Sequence, residues 1–172
     1  MNASSLPALL QGFFTDRLRT QLDASPCTVA SYRDTFRLLL HFVTKRLKRA
    51  PSEARVEGLD APCVGSFLEY LEGDRNNCAR TRNVRLAALH AFFRYVAVNE
   101  PTYALQCQRL LAMPTKRYQR GPVEFLTDEE TVALVAAPDL NTWLGRRDRA
   151  ILIVAAQTGL RNAEIRALRC QD

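Results

Sequence analysis

Arg161 and Glu164 stand three residues apart in the run Gln157-Thr158-Gly159-Leu160-Arg161-Asn162-Ala163-Glu164-Ile165-Arg166-Ala167-Leu168. An apolar stretch, Ala150 to Ala156, leads into Gly159, a residue type that ends helices in the left-handed conformation at little steric cost. A second short helix is expected to start at once, with apolar Ile165 and Leu168 on one side. Arg161 then falls in its first turn, where a forked, permanently charged guanidinium lies beside free backbone N–H groups. That arrangement suits a phosphate. The same spacing also describes an ordinary glycine-stopped corner with a surface arginine.

Three further groups of residues have the chemistry of polyanion binding. Arg80, Thr81, Arg82, Asn83 and Arg85 crowd the first turns of one expected helix. Arginine, threonine and asparagine are residue types that contact phosphates and base edges. On an earlier helix Arg33, Arg37, His41, Thr44 and Lys48 form a stripe about 80° wide, which can follow a phosphate backbone or can simply be a solvated face. Lys116 and Arg117 lie in a stretch with two prolines and a glycine, Pro114 to Pro122. That stretch suits a basic segment laid along a backbone, and an ordinary linker equally well. The two histidines are read as bystanders: no acid or second histidine is suitably spaced from His41, and His90 is read as structural.

These groups need helices to hold them, and the apolar spacing predicts helices throughout. Leu6, Leu9, Leu10, Phe13, Phe14, Leu18 and Leu22 mark a first amphipathic helix. Ser25 as N-cap with Pro26 behind it opens a second, to about Arg49. After a linker from Ala50 to Gly58, Asp60-Ala61-Pro62 opens a third through Val64, Phe67, Leu68 and Leu71, closed by a polar turn at residues 73–77. The fourth, from about Ala79 to Val98, has Val84, Ala88, Leu89, Phe92, Phe93, Tyr95 and Val96 spread over much of its circumference, as expected inside a bundle. A short helix from Tyr103 to Met113 is expected to pack back on it. Beyond the linker, Thr127-Asp128-Glu129-Glu130 is a capping box. Another helix, from Trp143, enters the Gly159 corner. The only stretch with any strand character is Val123 to Leu126.

The 172 residues suffice for one domain with a real core, or a small domain plus part of another. Up to residue 120 there are 18 Lys and Arg against 10 Asp and Glu; after it there are 6 against 8. A basic front and a near-neutral rear point to a polyanionic partner for the front, or to a merely soluble basic surface. Five cysteines, an odd number without zinc-ligand spacing, fit a reducing compartment, and no metal site is expected. No signal peptide and no apolar run of membrane-spanning length is visible, so a cytoplasmic protein is expected.

Thr158-Gly159-Leu160-Arg161, followed by Glu164-Ile165 and Leu168, resembles the first arginine motif of the tyrosine recombinase (phage integrase) family. The lead-in Phe125-Leu126-Thr127-Asp128-Glu129-Glu130 and the run Gly145-Arg146-Arg147-Asp148-Arg149-Ala150 fit as well. The resemblance covers most of the chain in layout and is specific mainly at the Arg161 corner. It implies an all-α chain: a four- to five-helix SAM-like core-binding domain over 1–113, a basic linker over 114–124, and the first part of a catalytic domain over 125–172. It further implies that Arg161 binds the scissile phosphate with Glu164 in support, and that an equivalent of the fourth helix faces the duplex. The reaction is attack of a tyrosine hydroxyl on a DNA phosphate, giving a covalent phosphotyrosine without metal or cofactor. The partners implied are double-stranded DNA and other recombinase protomers. The family's lysine hairpin, His-x-x-Arg stretch and nucleophilic tyrosine would follow residue 172. His90 and Arg94 have the wrong spacing and position for that stretch, and Tyr32, Tyr70, Tyr95, Tyr103 and Tyr118 all precede Arg161. This chain alone is therefore not expected to cleave DNA, and residues 125–172 are expected to be loosely packed unless something covers them. A non-enzymatic DNA-binding regulator and a helical protein-interaction module are the alternatives.

Overall fold

A computed structural model describes residues 5–47, 55–119, 121–122, 124–169 and 171. Lys48, Cys170 and Val123 lie outside the described residues. All described regular structure is helical, and the chain divides into two compact units, Met1–Gln119 and Arg120–Asp172.

In the first unit, α1 (Leu6–Gly12) is capped by the Ser5 hydroxyl and continues as a π-helical stretch, Phe13–Gln21. The wider turn answers the spacing of the buried residues: Leu6, Leu9 and Phe13 step by three and four, but the next buried position, Leu18, comes five later. Leu22, expected on the apolar stripe, is 53% exposed, because the stripe assumed α-helical turns to the end. Asp23, at φ 44°, closes the segment in the left-handed region. Helix α2 (Pro26–Leu47) starts at Ser25, whose hydroxyl accepts the Thr28 N–H at 3.2 Å. Helix α3 (Ala61–Gly73) starts at Asp60, whose carboxylate accepts the Cys63 N–H at 2.9 Å. Helix α4 (Ala79–Asn99) packs against α2, α3 and α5 (Ala104–Leu111).

The core of this unit is aromatic at one end. Phe13 lies 5.4 Å from Phe92, and Phe36 5.0 Å from Phe92, both edge-to-face, the arrangement that ring quadrupoles favour. Leu86, Leu89, Phe92, Phe93 and Val96 of α4 are all fully buried, so α4 is the inner helix of the bundle, as its wide apolar surface predicts. Val84 departs from that reading and is 47% exposed. The segment before α3 is fastened to α5: Gln106 donates to the Val56 and Leu59 carbonyls, and the Tyr103 hydroxyl donates to Glu57 at 2.8 Å.

The second unit holds α6 (Asp128–Ala136), α7 (Trp143–Thr158) and α8 (Asn162–Ala167). The capping box at Thr127 and Glu130 forms with both bonds made. Gly145 is its one buried residue among those described. Trp143, at the first position of α7, is 66% exposed, with the Arg147 guanidinium 5.6 Å from its ring centroid. Residues 124–126 form no strand.

Candidate nucleic-acid interface

The first turns of α4 place their polar residues on different duties. Arg80 is exposed, and Thr81 is half-buried with its hydroxyl 3.3 Å from the Cys78 sulfur. Arg82 is buried, 8% exposed, and its guanidinium donates to the Pro114 carbonyl at 3.1 Å and to the Asn83 carboxamide oxygen at 3.2 Å. Asn83 grips the backbone of Lys116 from both sides: its Nδ2 donates to the Lys116 carbonyl at 2.7 Å, and its Oδ1 accepts the Lys116 N–H at 2.9 Å. Arg85 is half-buried and donates to the Ser31 carbonyl at 3.0 Å and the Thr35 hydroxyl at 3.1 Å, tying α4 to α2.

The sequence grouped Arg80, Thr81, Arg82, Asn83 and Arg85 as one cluster facing outward. In the structure Arg82, Asn83 and Arg85 donate to protein carbonyls, a carboxamide oxygen and a hydroxyl, while the Nε atoms of Arg82 and Arg85 are buried with no partner among the described residues, and Arg80 is the exposed cation. The residues after α5 supply others. Lys116 reaches Glu72 at 2.7 Å with its side chain 55% exposed, and Arg117 and Tyr118 follow, both exposed. Asn83 and residues Thr115 to Gln119 line one open groove. The sequence placed Lys116 and Arg117 in a linker separate from the bundle. The bonds of Arg82 and Asn83 to Pro114 and Lys116 span 32 and 33 residues and leave no signal in the local spacing.

The α2 stripe is a different surface. Arg33, Arg37 and His41 are exposed. At about 100° per residue, Arg33 and Arg37 lie some 160° round α2 from Thr35, the buried residue that meets Arg85. The stripe and the α4 end are therefore not brought to one face of α2. His90, read as structural, has its Nε2 3.0 Å from the Leu110 carbonyl, tying α4 to α5. Burial pushes its imidazole below the ordinary range, helped by the positive charges of Arg94 and Arg82, while the Leu110 carbonyl acts in the opposite sense.

In the second unit the Gly159 corner forms with φ 64°, left-handed, and its N–H returns to the Ala155 carbonyl. Arg161 is the N-cap of α8, just before the first turn where the spacing put it. Glu164 holds it twice: one carboxylate oxygen accepts the Arg161 backbone N–H at 2.7 Å, and the other accepts from its guanidinium at 3.1 Å. The Arg161 side chain is otherwise 86% exposed. The pair thus forms a positioned cation with most of its guanidinium facing solvent. Among the described residues, no group of three or more His, Cys, Asp and Glu is placed to hold a metal ion.

The profile of the family described as "Phage integrase, N-terminal SAM-like domain" matches residues 13–99, the span from the π-helical stretch to the end of α4. This chain belongs to the phage integrase family. Its relatives agree along nearly the whole sequence. Two proteins of Sinorhizobium fredii, "Putative integrase/recombinase y4rC" and "Putative integrase/recombinase y4rD", are 52% identical over 169 residues and 41% identical over 167 residues, covering 98% and 97% of this chain. The "Tyrosine recombinase XerC" of Pelotomaculum thermopropionicum is 31% identical over 157 residues, 90% of this chain. The integrase-family chain spans 51%, 59% and 49% of those three proteins, about half their length. No solved structure matches it significantly. No described helix is long and apolar enough to cross a membrane.

Proposed function

We propose that this integrase-family chain is the double-stranded-DNA-binding part of a site-specific tyrosine recombinase, together with the first piece of its phosphate-handling centre. The observation that carries the reading is the basic end of the bundle, where Arg80, Lys116 and Arg117 are presented on a framework made by Arg82, Asn83 and Arg85. Phosphate contacts position a protein on a duplex, and a framework of internal bonds holds cations in register with phosphates. Thr81 and Tyr118 complete this surface, while Arg33 and Arg37 serve a second, separate contact with the backbone. In the second unit Arg161 neutralises the charge that develops on a scissile phosphate when a tyrosine hydroxyl attacks it. Glu164 fixes the direction of that guanidinium. The protein works in the cytoplasm with other recombinase protomers on the same DNA.

The test is duplex binding measured from about 50 to about 200 mM salt. Each neutralised phosphate contributes about −0.9 to the slope of log K against log salt. Arg80→Ala and Arg117→Ala should each reduce that slope by about one. Arg85→Ala should weaken binding through the fold, leaving the slope unchanged. A slope near zero for the unaltered chain would leave it a protein-interaction module.

A further inference from the structure

Lys116 is held in two unlike ways. Its backbone is pinned by the Asn83 carboxamide, through bonds of 2.7 and 2.9 Å. The Arg82 guanidinium donates to the same Asn83 oxygen and, two residues before Lys116, to the Pro114 carbonyl. Among the described residues its side chain pairs with Glu72 at 2.7 Å, and that pair is open to solvent on the lysine side, 55% exposed, and half-buried on the glutamate, 23% exposed. Exposed ion pairs contribute little. An ammonium on a flexible four-carbon stem exchanges partners without moving the backbone that bears it. Glu72 is thus a carboxylate set against a cation at an end of the bundle that otherwise presents Arg80 and Arg117.

Resting on the DNA-binding reading above, we propose that Asn83 and Glu72 are positioning residues that together make Lys116 a transferable contact. Asn83 keeps the Lys116 backbone docked on α4 throughout. Glu72 holds the ammonium in the free protein and gives it up to a backbone phosphate when a duplex is bound. Glu72 therefore competes with DNA for one specific cation, and its effect on affinity passes through Lys116.

The experiment is a double-mutant cycle of Glu72→Gln and Lys116→Gln in the 172-residue chain, read as duplex affinity at one fixed salt concentration. Glu72→Gln should raise affinity about twofold to fivefold, the scale of an exposed ion pair, and this gain should vanish in the Lys116→Gln background. In a separate series from about 50 to about 200 mM salt, Lys116→Gln should lower the slope by about one. An equal gain from Glu72→Gln with and without Lys116 would overturn the transfer, because Glu72 would then act by general repulsion. The anchoring half is tested without DNA. Asn83→Ala should speed hydrogen exchange at the Lys116 amide about fivefold while the Phe92 and Phe93 amides stay slow. Unchanged exchange at Lys116 would overturn the anchor. If the unaltered chain binds no duplex, the DNA reading and the transfer both fall, while the exchange result still decides the anchor.

Discussion

At Gly145 an added Cβ would stand 1.9 Å from the Asp139 carbonyl oxygen and 2.6 Å from its carbon. Both obstacles are backbone, so neither can rotate away. Gly145→Ala should cost the second unit about 2 kcal/mol or more, the scale of overpacking against a fixed neighbour; thermal unfolding with and without the substitution checks it. The glycine itself was visible in the sequence as part of the Gly145-Arg146-Arg147-Asp148-Arg149-Ala150 resemblance, but its reason was not, because a close approach between backbones leaves no periodic signal. The same limit applied to Arg82 and Arg85. Their residue types read as surface cations, and on a helix apolar over most of its circumference, periodicity does not say which way an arginine points. Only the carbonyls of Pro114 and Ser31 decide that, and these lie 32 and 54 residues away in the chain. The Gly159 corner was readable because its geometry is local: a helix-ending glycine returns its N–H to Ala155, four residues back.

Among the elements, the helix starts were the best-read features, since Ser25, Asp60 and Thr127 cap where their types and spacing put them. The π-helical stretch was not readable as such, because a five-residue step between buried positions is easily absorbed into a three-and-four pattern that also contains Leu10 and Phe14. The junction of α4 with α5 has a pH dependence of definite sign. Lowering of the His90 value in the fold means that the native protein favours neutral imidazole there. As pH falls below about 6.5, the unfolded chain takes up its proton first. The stability contributed by neutral His90 is therefore present above about 6.5 and is lost as pH falls from there toward the folded value. Stability of the first unit should decline as pH falls below about 6.5, and His90→Gln should flatten that decline in a urea-unfolding series. Glu57 acts lower on the scale. Its own backbone N–H and then the Tyr103 hydroxyl hold its carboxyl below 4.5, so its contribution fades only below that pH.

For the whole molecule, the contrast between the two units dominates. Every buried apolar side chain of the described residues belongs to the first unit, while Val132, Leu134, Leu144 and Ile151 of the second are 69%, 45%, 56% and 43% exposed. Slow exchange requires burial, so amides of α7 should exchange faster than those of α4 by at least about tenfold; equal protection in a monomer would contradict this. The two compact units part between Gln119 and Arg120, inside the Pro114–Pro122 stretch that its composition marks as a linker. The first compact unit includes residues 114–116, which Arg82 and Asn83 fasten to α4 through contacts that no local pattern announces. The placing of Trp143 has an optical consequence. It is the sole tryptophan of the sequence and belongs to the second unit, whereas all five tyrosines lie in the first. Fluorescence excited at the red edge of the absorption band therefore reports the rear of the molecule alone, and tyrosine signals report the front. The melting of each half can be followed in one unlabelled chain.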